Sequence, residues 1–414
     1  MNKPLFSLIA GSMLATLGCH QPTSPVVSPT PVYTLGRAEL RVSAPFANQT
    51  AQFAFDLANR VARQTGTSKN MFISPLSLHM ALGMLLNGAS GQTASEIQQT
   101  LKLDAQTLSE ANTTYKKLLT NLPGLDPQVT LRLGNSVWYR QSFTVLPAYQ
   151  DLLKQTFNAT ISAEDFDSPA TVGKINAWAS QQTQGKIPQV IQTIQPENVL
   201  FVLNALYVKG TWKTQFVPSL TYDAPFTTPS GVDKMVRMMR QKTSMRRAFR
   251  DGYAAFELPY GNDQYAMTIL LPAPNGSADA LLQRFSASEW TQLQQNMTVG
   301  SMDIGLPKFT LRYEAGLNSI LSDMGMPTAF STRADFTRMN AAGGLTLSFV
   351  KQHAFISVDE QGTEAAAVTT GGVSTTSVQM PTLCDRPFVF VIHEKNTNTI
   401  LFVGKIADPT QIDS

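Results

Sequence analysis

The side chains able to carry catalysis are few and far apart. Four histidines (His20, His79, His353, His393) and two cysteines (Cys19, Cys384) are spread over 414 residues. No HExxH, CxxC or GxSxG spacing gathers any of them into a metal-binding or nucleophile pattern. GASG (88–91) sets a serine among glycines without the nucleophile-elbow spacing, and reads as the turn and cap after a helix. QGKI (184–187) lacks both the earlier glycine and the following Ser/Thr of a phosphate loop. His353, next but one to Phe355, reads as a packed sheet histidine, and His393 at a hairpin end as a surface one. Cys384 reads as a half-buried thiol at the start of a strand. No metal site, cofactor or enzymatic nucleophile is expected.

The most informative segment has almost no side-chain chemistry. Residues 359–377, DEQGTEAAAVTTGGVSTTS, open on an acidic turn containing Gly362. From Ala365 to Gln379 the chain then carries no charge, no proline and no large aromatic. A flexible linker has a similar composition, but the flanks differ. FISVDE (355–360) alternates as a strand does, and RPFVFVIHEKNTNTILFVGKI (386–406) reads as two strands joined by a polar turn. Side chains alternate along an extended chain, so Ala365, Ala367, Thr369, Gly371, Val373 and Thr375 share one face. That face could enter a sheet interior without burying a charge. From Thr363 to Thr376 the run would span about 45 Å fully extended, far more than an ordinary strand.

The elements around it suggest one large domain. A composition of 43% hydrophobic and 15% charged residues is ordinary for a globular chain, and no repeat or charge block marks an internal boundary. The net charge of +3 makes no case for nucleic acid. The basic run Arg237, Arg240, Lys242, Arg246, Arg247, Arg250 reads as a solvated strand edge; binding of a polyanion is the other reading. At the N-terminus, Lys3 precedes an apolar run from Leu5 to Gly18. The run is too short to span a bilayer and has the order of a signal peptide. ATLGC (15–19) resembles a bacterial lipobox, with Thr16 where that pattern prefers Leu. Residues 1–18 are therefore expected to be removed, with Cys19 lipidated. A plainly cleaved secretory signal and an uncleaved anchor remain alternatives. Residues 19–45, with QPTSPVVSPTP, read as a Pro/Ser/Thr-rich tether, and 46–414 as the domain. With Cys19 lipidated, the domain keeps only Cys384 and must be stable without a disulfide.

EQGTEAAAVT (360–369) closely resembles the hinge of the reactive-centre loop in the serpin family. Six further segments resemble that family, and with the closing PFVFVIHEKNTNTILFVGKIADP (387–409) they run in family order. They include NMFISPLSLHMALGMLLNGASGQTASEIQQTL (70–101), GNSVWY (134–139), INAWASQQTQGKI (175–187) and LFVLNALYVKGTWKTQF (200–216). FELPYGNDQYAMTILLP (256–272) and LPKFTLRYEAGLNSILSDMGMPTAFSTRADFTRM (306–339) follow. The resemblance implies an α+β fold of three β-sheets with surrounding helices and an exposed reactive-centre loop over 360–386.

The resemblance also implies an activity. A protease serine attacks the scissile carbonyl and forms an acyl-enzyme, the cut loop inserts into the central sheet, and the distorted protease stays attached. Family spacing counted from Gly362 and back from Pro387 gives the same scissile bond, Thr376–Ser377; Thr375–Thr376 is the alternative. Thr suits a shallow specificity pocket. The implied partners are elastase-like or subtilisin-like serine proteases, together with some cysteine proteases, met by a monomer that touches a membrane only through its lipid. The hinge residues Glu360, Gly362, Thr363, Glu364, Ala365, Ala366, Ala367 and Thr369 favour an inhibitor over a non-inhibitory binding or carrier serpin, because no bulky group or proline obstructs insertion. The implied sheet-opening residues are Ser74, Ser77, Asn204, Trp212 and Gln352. Two departures stand out. Gln352 occupies the position of the family's usual histidine, with His353 one residue later on the other face. Gly371-Gly372 would lose about 0.5–1 kcal/mol each, relative to alanine, on becoming strand. Export is implied, with anchoring at the cell envelope (outer membrane or surface) or secretion; His20 after the lipidated cysteine favours passage beyond an inner membrane.

Overall fold

The computed structural model describes residues 40–103, 107–363 and 381–412, which fall within one compact unit, 39–414. Its helices are α1 (Ala44–Thr65), α2 (Pro75–Gly88), α3 (Gly91–Thr100), α4 (Leu108–Asn121), α5 (Pro147–Phe157), α6 (Pro169–Gln182), α7 (Ala278–Arg284), α8 (Ala287–Asn296) and α9 (Asn318–Asp323). The strands of the first half are β1 (Met71–Ile73), β2 (Val129–Arg140), β3 (Thr160–Glu164), β4 (Leu200–Thr211), β5 (Tyr222–Thr227), β6 (Asp233–Arg250), β7 (Tyr253–Pro259) and β8 (Tyr265–Pro272). Those of the second are β9 (Thr298–Pro307), β10 (Phe309–Gly316), β11 (Leu347–Val358), β12 (Gly362–Thr363), β13 (Thr382–Leu383), β14 (Phe388–Glu394) and β15 (Ile400–Ile406). No described helix is long and apolar enough to cross a membrane.

The expected α+β fold with three sheets is present. The central sheet runs β10-β11-β12-β4-β2-β3. The other two are joined through β6. Its last residues, Arg247–Arg250, pair with β7 and continue the layer β7-β8-β14-β15-β1. Its middle, Met238–Arg247, pairs with β9, which carries β13, and its start pairs with β5.

Local sequence explains the centre. LFVLNALYV in β4 is apolar on both faces because both are covered. Val202, Leu206 and Val208 face the main core behind the sheet. Phe201, Leu203, Ala205 and Tyr207 face a second cluster, with Trp178 of α6 in front. α2 is apolar almost all round, and every residue but Asn87 is buried. Ser74 caps it, Pro75 stands in its first turn, and GASG ends it at Gly88 and starts α3 at Gly91. α1 starts at Ala44 behind the capping Ser43.

Two readings of single residues change. His393 is fully buried, wedged edge-on against Trp290 at 4.9 Å and within 3.8 Å of the Glu257 carboxylate. The hairpin end places it inside because α8 covers that face of β14. Cys384 is fully rather than half buried, and burial pushes its thiol pKa up, so it is inert as a nucleophile. His353 is a packed sheet histidine as expected, 5% exposed.

Candidate functional site: a seam in the central sheet

β4 and β11 are parallel neighbours over eight pairs, from Leu200↔Leu347 to Tyr207↔Phe355. Beyond Phe355 they part, and β12 fills the gap. Thr363 pairs antiparallel with Val358 on one side and Gly210 on the other, and Gly362 pairs with Thr211. The start of the expected hinge is thus already a short strand in the sheet.

A tight set of bonds holds it there. The Asp359 side chain accepts from the backbone N–H of Gln361 (2.9 Å) and Gly362 (3.2 Å), closing the turn. Each carbonyl of the turn is taken: Asp359 O by the Trp212 indole N–H (3.0 Å), Glu360 O by Phe216 N–H, Gln361 O by Trp212 N–H, and Gly362 O by Asp359 N–H. Trp212 stacks on Tyr260 at 4.5 Å, and the Tyr260 hydroxyl lies 2.6 Å from the Thr363 hydroxyl. Thr363 is wholly buried. Gly362 is needed for close approach: a Cβ there would sit 1.9 Å from the Gly210 carbonyl oxygen. Glu360 ties the turn down through Lys308 (2.7 Å) and Thr221 (2.8 Å). Burial works against its charge, but those bonds prevail and hold its pKa below the ordinary carboxylate value.

Midway down the seam a polar relay crosses it. The Gln352 amide grips one residue twice: Oε1 accepts from Ser74 N–H (2.7 Å) and Nε2 donates to Ser74 C=O (2.9 Å). Nε2 also donates to Asn204 Oδ1 (3.4 Å), and Asn204 Nδ2 donates to Asn135 Oδ1 (2.5 Å). Ser77 Oγ donates to Asn135 Oδ1 as well (3.2 Å). All five residues are at most 3% exposed. The structure therefore brings Ser74, Ser77, Asn204 and Gln352 together. Trp212 stands apart at the top of the seam, against the hinge. Glu364, Ala365, Ala366, Ala367, Thr369, Thr376, Ser377 and Cys19 lie outside the described residues.

Asn135 and Tyr260 were missed by sequence reasoning. A lone amide in the apolar strand GNSVWY was the available signal for Asn135, since a buried polar group demands a partner. Tyr260 in LPYG carried no comparable signal. His353 takes no part in the relay; it faces the other side of the sheet, 3.9 Å from Glu314.

Gln352→Ala would strand the Ser74 N–H and C=O and Asn204 Oδ1 in the interior. It should cost about 3 kcal/mol of native stability. Guanidinium unfolding of the fresh native protein measures the effect. An unchanged midpoint would mean that the relay does not hold the seam.

Burial lowers the pKa of His79, His353 and His393 to about 4, each desolvated more than its neighbours can offset. Their unfolded value is near 6.5. The unfolded chain thus binds more protons across that window. The stability these neutral histidines contribute is complete above about pH 6.5 and falls away toward pH 4. Each is worth up to roughly 3 kcal/mol. Unfolding midpoints should drop steeply between pH 6.5 and 4.5, and His353→Gln should remove part of that slope; a flat profile would contradict the assignment.

Most of the basic run is neutralised in place. Arg237 meets Asp223 (3.1 Å), Arg240 meets Asp303 (2.8 Å) and Arg246 meets Glu257 (2.8 Å). Arg250 lies 3.8 Å from Glu289, and Arg247 stacks over Phe249. The solvated-edge reading fits better than a polyanion site. Among the described residues no group of three or more His, Cys, Asp or Glu could hold a metal ion.

Comparison with known proteins decides the family. The family profile described as Serpin (serine protease inhibitor) matches residues 48–409. The chain belongs to the serpin family. It is 33% identical to Iris of Ixodes ricinus over 380 residues, covering 89% of this chain and 100% of that one. It is 31% identical to the leukocyte elastase inhibitor of Sus scrofa, covering 86% and 98%. Among solved structures it is similar to native tengpin, a thermophilic serpin (TM-score 0.83, 28% identity, 90% and 96% covered). It is also similar to human thyroxine-binding globulin with thyroxine bound (TM-score 0.82, 28% identity, 88% and 99% covered).

Proposed function

We propose that this serpin is a single-use inhibitor of serine endopeptidases, trapping them as an acyl complex when its cleaved loop enters the central sheet. The observation that carries this reading is β12, already paired antiparallel on both sides at the head of an otherwise parallel seam. Extending it downward would replace one parallel ladder with two antiparallel ones, which are somewhat more stable per residue. Thr363 points inward, so by alternation Ala365, Ala367, Thr369, Gly371, Val373 and Thr375 would follow it into the core. All are uncharged, and their burial demands no ion desolvation.

The protease hydroxyl oxygen would bond to the Thr376 carbonyl carbon. The Thr376–Ser377 bond would break, and the new amine of Ser377 would leave with the proton. Targets would be elastase-like or subtilisin-like, in keeping with the name of the porcine relative, leukocyte elastase inhibitor. The protein would be exported, with Cys19 as the lipid-bearing residue and 19–45 as the tether, at the cell envelope or released.

Residues 24–414 incubated with elastase, subtilisin and trypsin test the reading on denaturing gels. The expected outcome is a boil-stable complex with elastase or subtilisin and a released peptide beginning at Ser377. Clean cleavage without a complex would sink it and leave a non-inhibitory serpin.

A further inference from the structure

The front of the seam is covered by the connection between α6 and β4, residues 183–199. Ile187, Val190 and Ile191 of this connection share one apolar cluster with Leu203, Ala205 and Tyr207 of β4 and Phe355 of β11, so it straddles both strands. Asn176 of α6 straps it down. Its Oδ1 accepts from Val190 N–H (2.8 Å) and Ile191 N–H (3.1 Å), and its Nδ2 donates to Ile191 C=O (2.9 Å).

Beneath this strap lies a titratable side chain in an apolar setting. His353 stands on β11 opposite Ala205 of β4 and Glu314 of β10, on the same face as Phe355, and is buried. Its Nε2 has no hydrogen-bond partner. The groups that face it do little for a proton. Glu314 Oε2 lies 3.9 Å from Nδ1, but half of that side chain is in water and Oε1 is bonded to Lys351 of β11 (2.7 Å). Lys351 opposes a proton on the ring, and the Val190 backbone favours one. Two residues along the same face, Phe355 carries Arg312 of β10 at 5.9 Å and Lys186 of the connection at 5.4 Å, which add positive charge. α6 brings Ile175, Trp178 and Ala179 to the cluster. An imidazolium here would lose its water and gain no committed partner.

We propose that His353 makes the connection an acid-released lid: once the imidazole takes up a proton it leaves its place beneath Val190, and the connection lifts from the front of the seam. Buried, the ring has its pKa lowered to about 4, because desolvation outweighs Glu314 and Val190. In water it returns to about 6.5. The open form therefore binds the proton more tightly, and acid favours it. Between pH 7.5 and pH 5 the opening equilibrium rises about thirtyfold by linkage. Admitting a strand parts β4 from β11 by about 4.8 Å, and a lid packed on both cannot follow. On the proposed inhibitory reading, acid would then also hasten loop insertion, but the lid itself does not depend on that reading.

Hydrogen exchange of the full chain, read by mass spectrometry with no protease present, tests the lid. After correction for the intrinsic exchange rate, amides at 187–191 should open about thirtyfold more at pH 5 than at pH 7.5, and those of β15 should change far less. His353→Gln and His353→Leu should each cut that rise to below about threefold. The leucine suits the apolar cluster, so the test survives if the glutamine variant folds poorly. Equal opening at both pH values, an undiminished rise in both variants, or a rise shared equally by β15, which reports global unfolding, would each overturn the proposal. Failure to form a complex with elastase or subtilisin would strike the inhibitory reading and leave the exchange result standing.

Discussion

Thr363→Arg is expected to abolish complex formation while leaving cleavage of the loop intact. The residue is fully buried in β12, between Gly210 and Val358, with its hydroxyl against that of Tyr260. An arginine there must either bury a guanidinium with no carboxylate to meet it or leave the sheet. The first choice costs several kcal/mol, more than any single hydrogen bond returns. The second pulls β12 out of the seam, so the change is felt before any protease arrives. Insertion then has to begin with the least insertable residue of the segment, and the acyl-enzyme has time to hydrolyse. On gels, the boil-stable band should fall by at least about tenfold, with cleaved serpin taking its place. Thr363→Ser keeps the small size and the hydroxyl and should retain complexes. If Thr363→Arg formed complexes at full stoichiometry, the insertion mechanism would be wrong.

How much of this was legible in the sequence depends on what kind of signal each part leaves. The strands around the loop were readable because β11, β14 and β15 carry the alternating or continuous apolar runs that burial requires. α2 was anticipated through the resemblance of segment 70–101, and its start carries a capping Ser74 before Pro75. The amides at 204 and 352 were suspected only through resemblance. Their real partner geometry, with Gln352 holding both backbone groups of Ser74, depends on a register between strands that no local pattern encodes. The inserted position of Gly362 and Thr363 was invisible for the same reason. Sequence showed that the segment could enter a sheet, but the parting of β4 from β11 that admits it is a tertiary fact. His393 failed differently: a hairpin end is normally wet, and only the packing of Trp290 over it makes it dry.

On the proposed reading, in which the loop is the protease's substrate, Thr376→Arg should redirect the protein from elastase-like or subtilisin-like proteases to trypsin. Between Gln361 and Asp385 the chain has no arginine or lysine, so a pocket that ends in a carboxylate finds nothing to pair with. A threonine carbonyl can still be presented there, but the empty pocket forfeits the charge-assisted bonds that drive acylation. An arginine supplies them, and discrimination of this kind reaches about 10³-fold or more. The same side chain is too long for a shallow pocket, so acylation of an elastase-like enzyme should fall by a comparable factor. Position 376 follows Thr375 on the opposite face of an extended chain from Thr363 and the alanines at 365 and 367. Insertion of the segment preceding it therefore buries no new charge, and the hinge is left as it was. Association rates with both enzymes, measured alongside the stoichiometry of inhibition, separate the two effects. A rate gain with trypsin at unchanged stoichiometry places the reactive bond at 376–377. Arginine at 375 giving the gain instead would move the bond by one residue, and no gain at either position would remove the substrate role from this part of the loop.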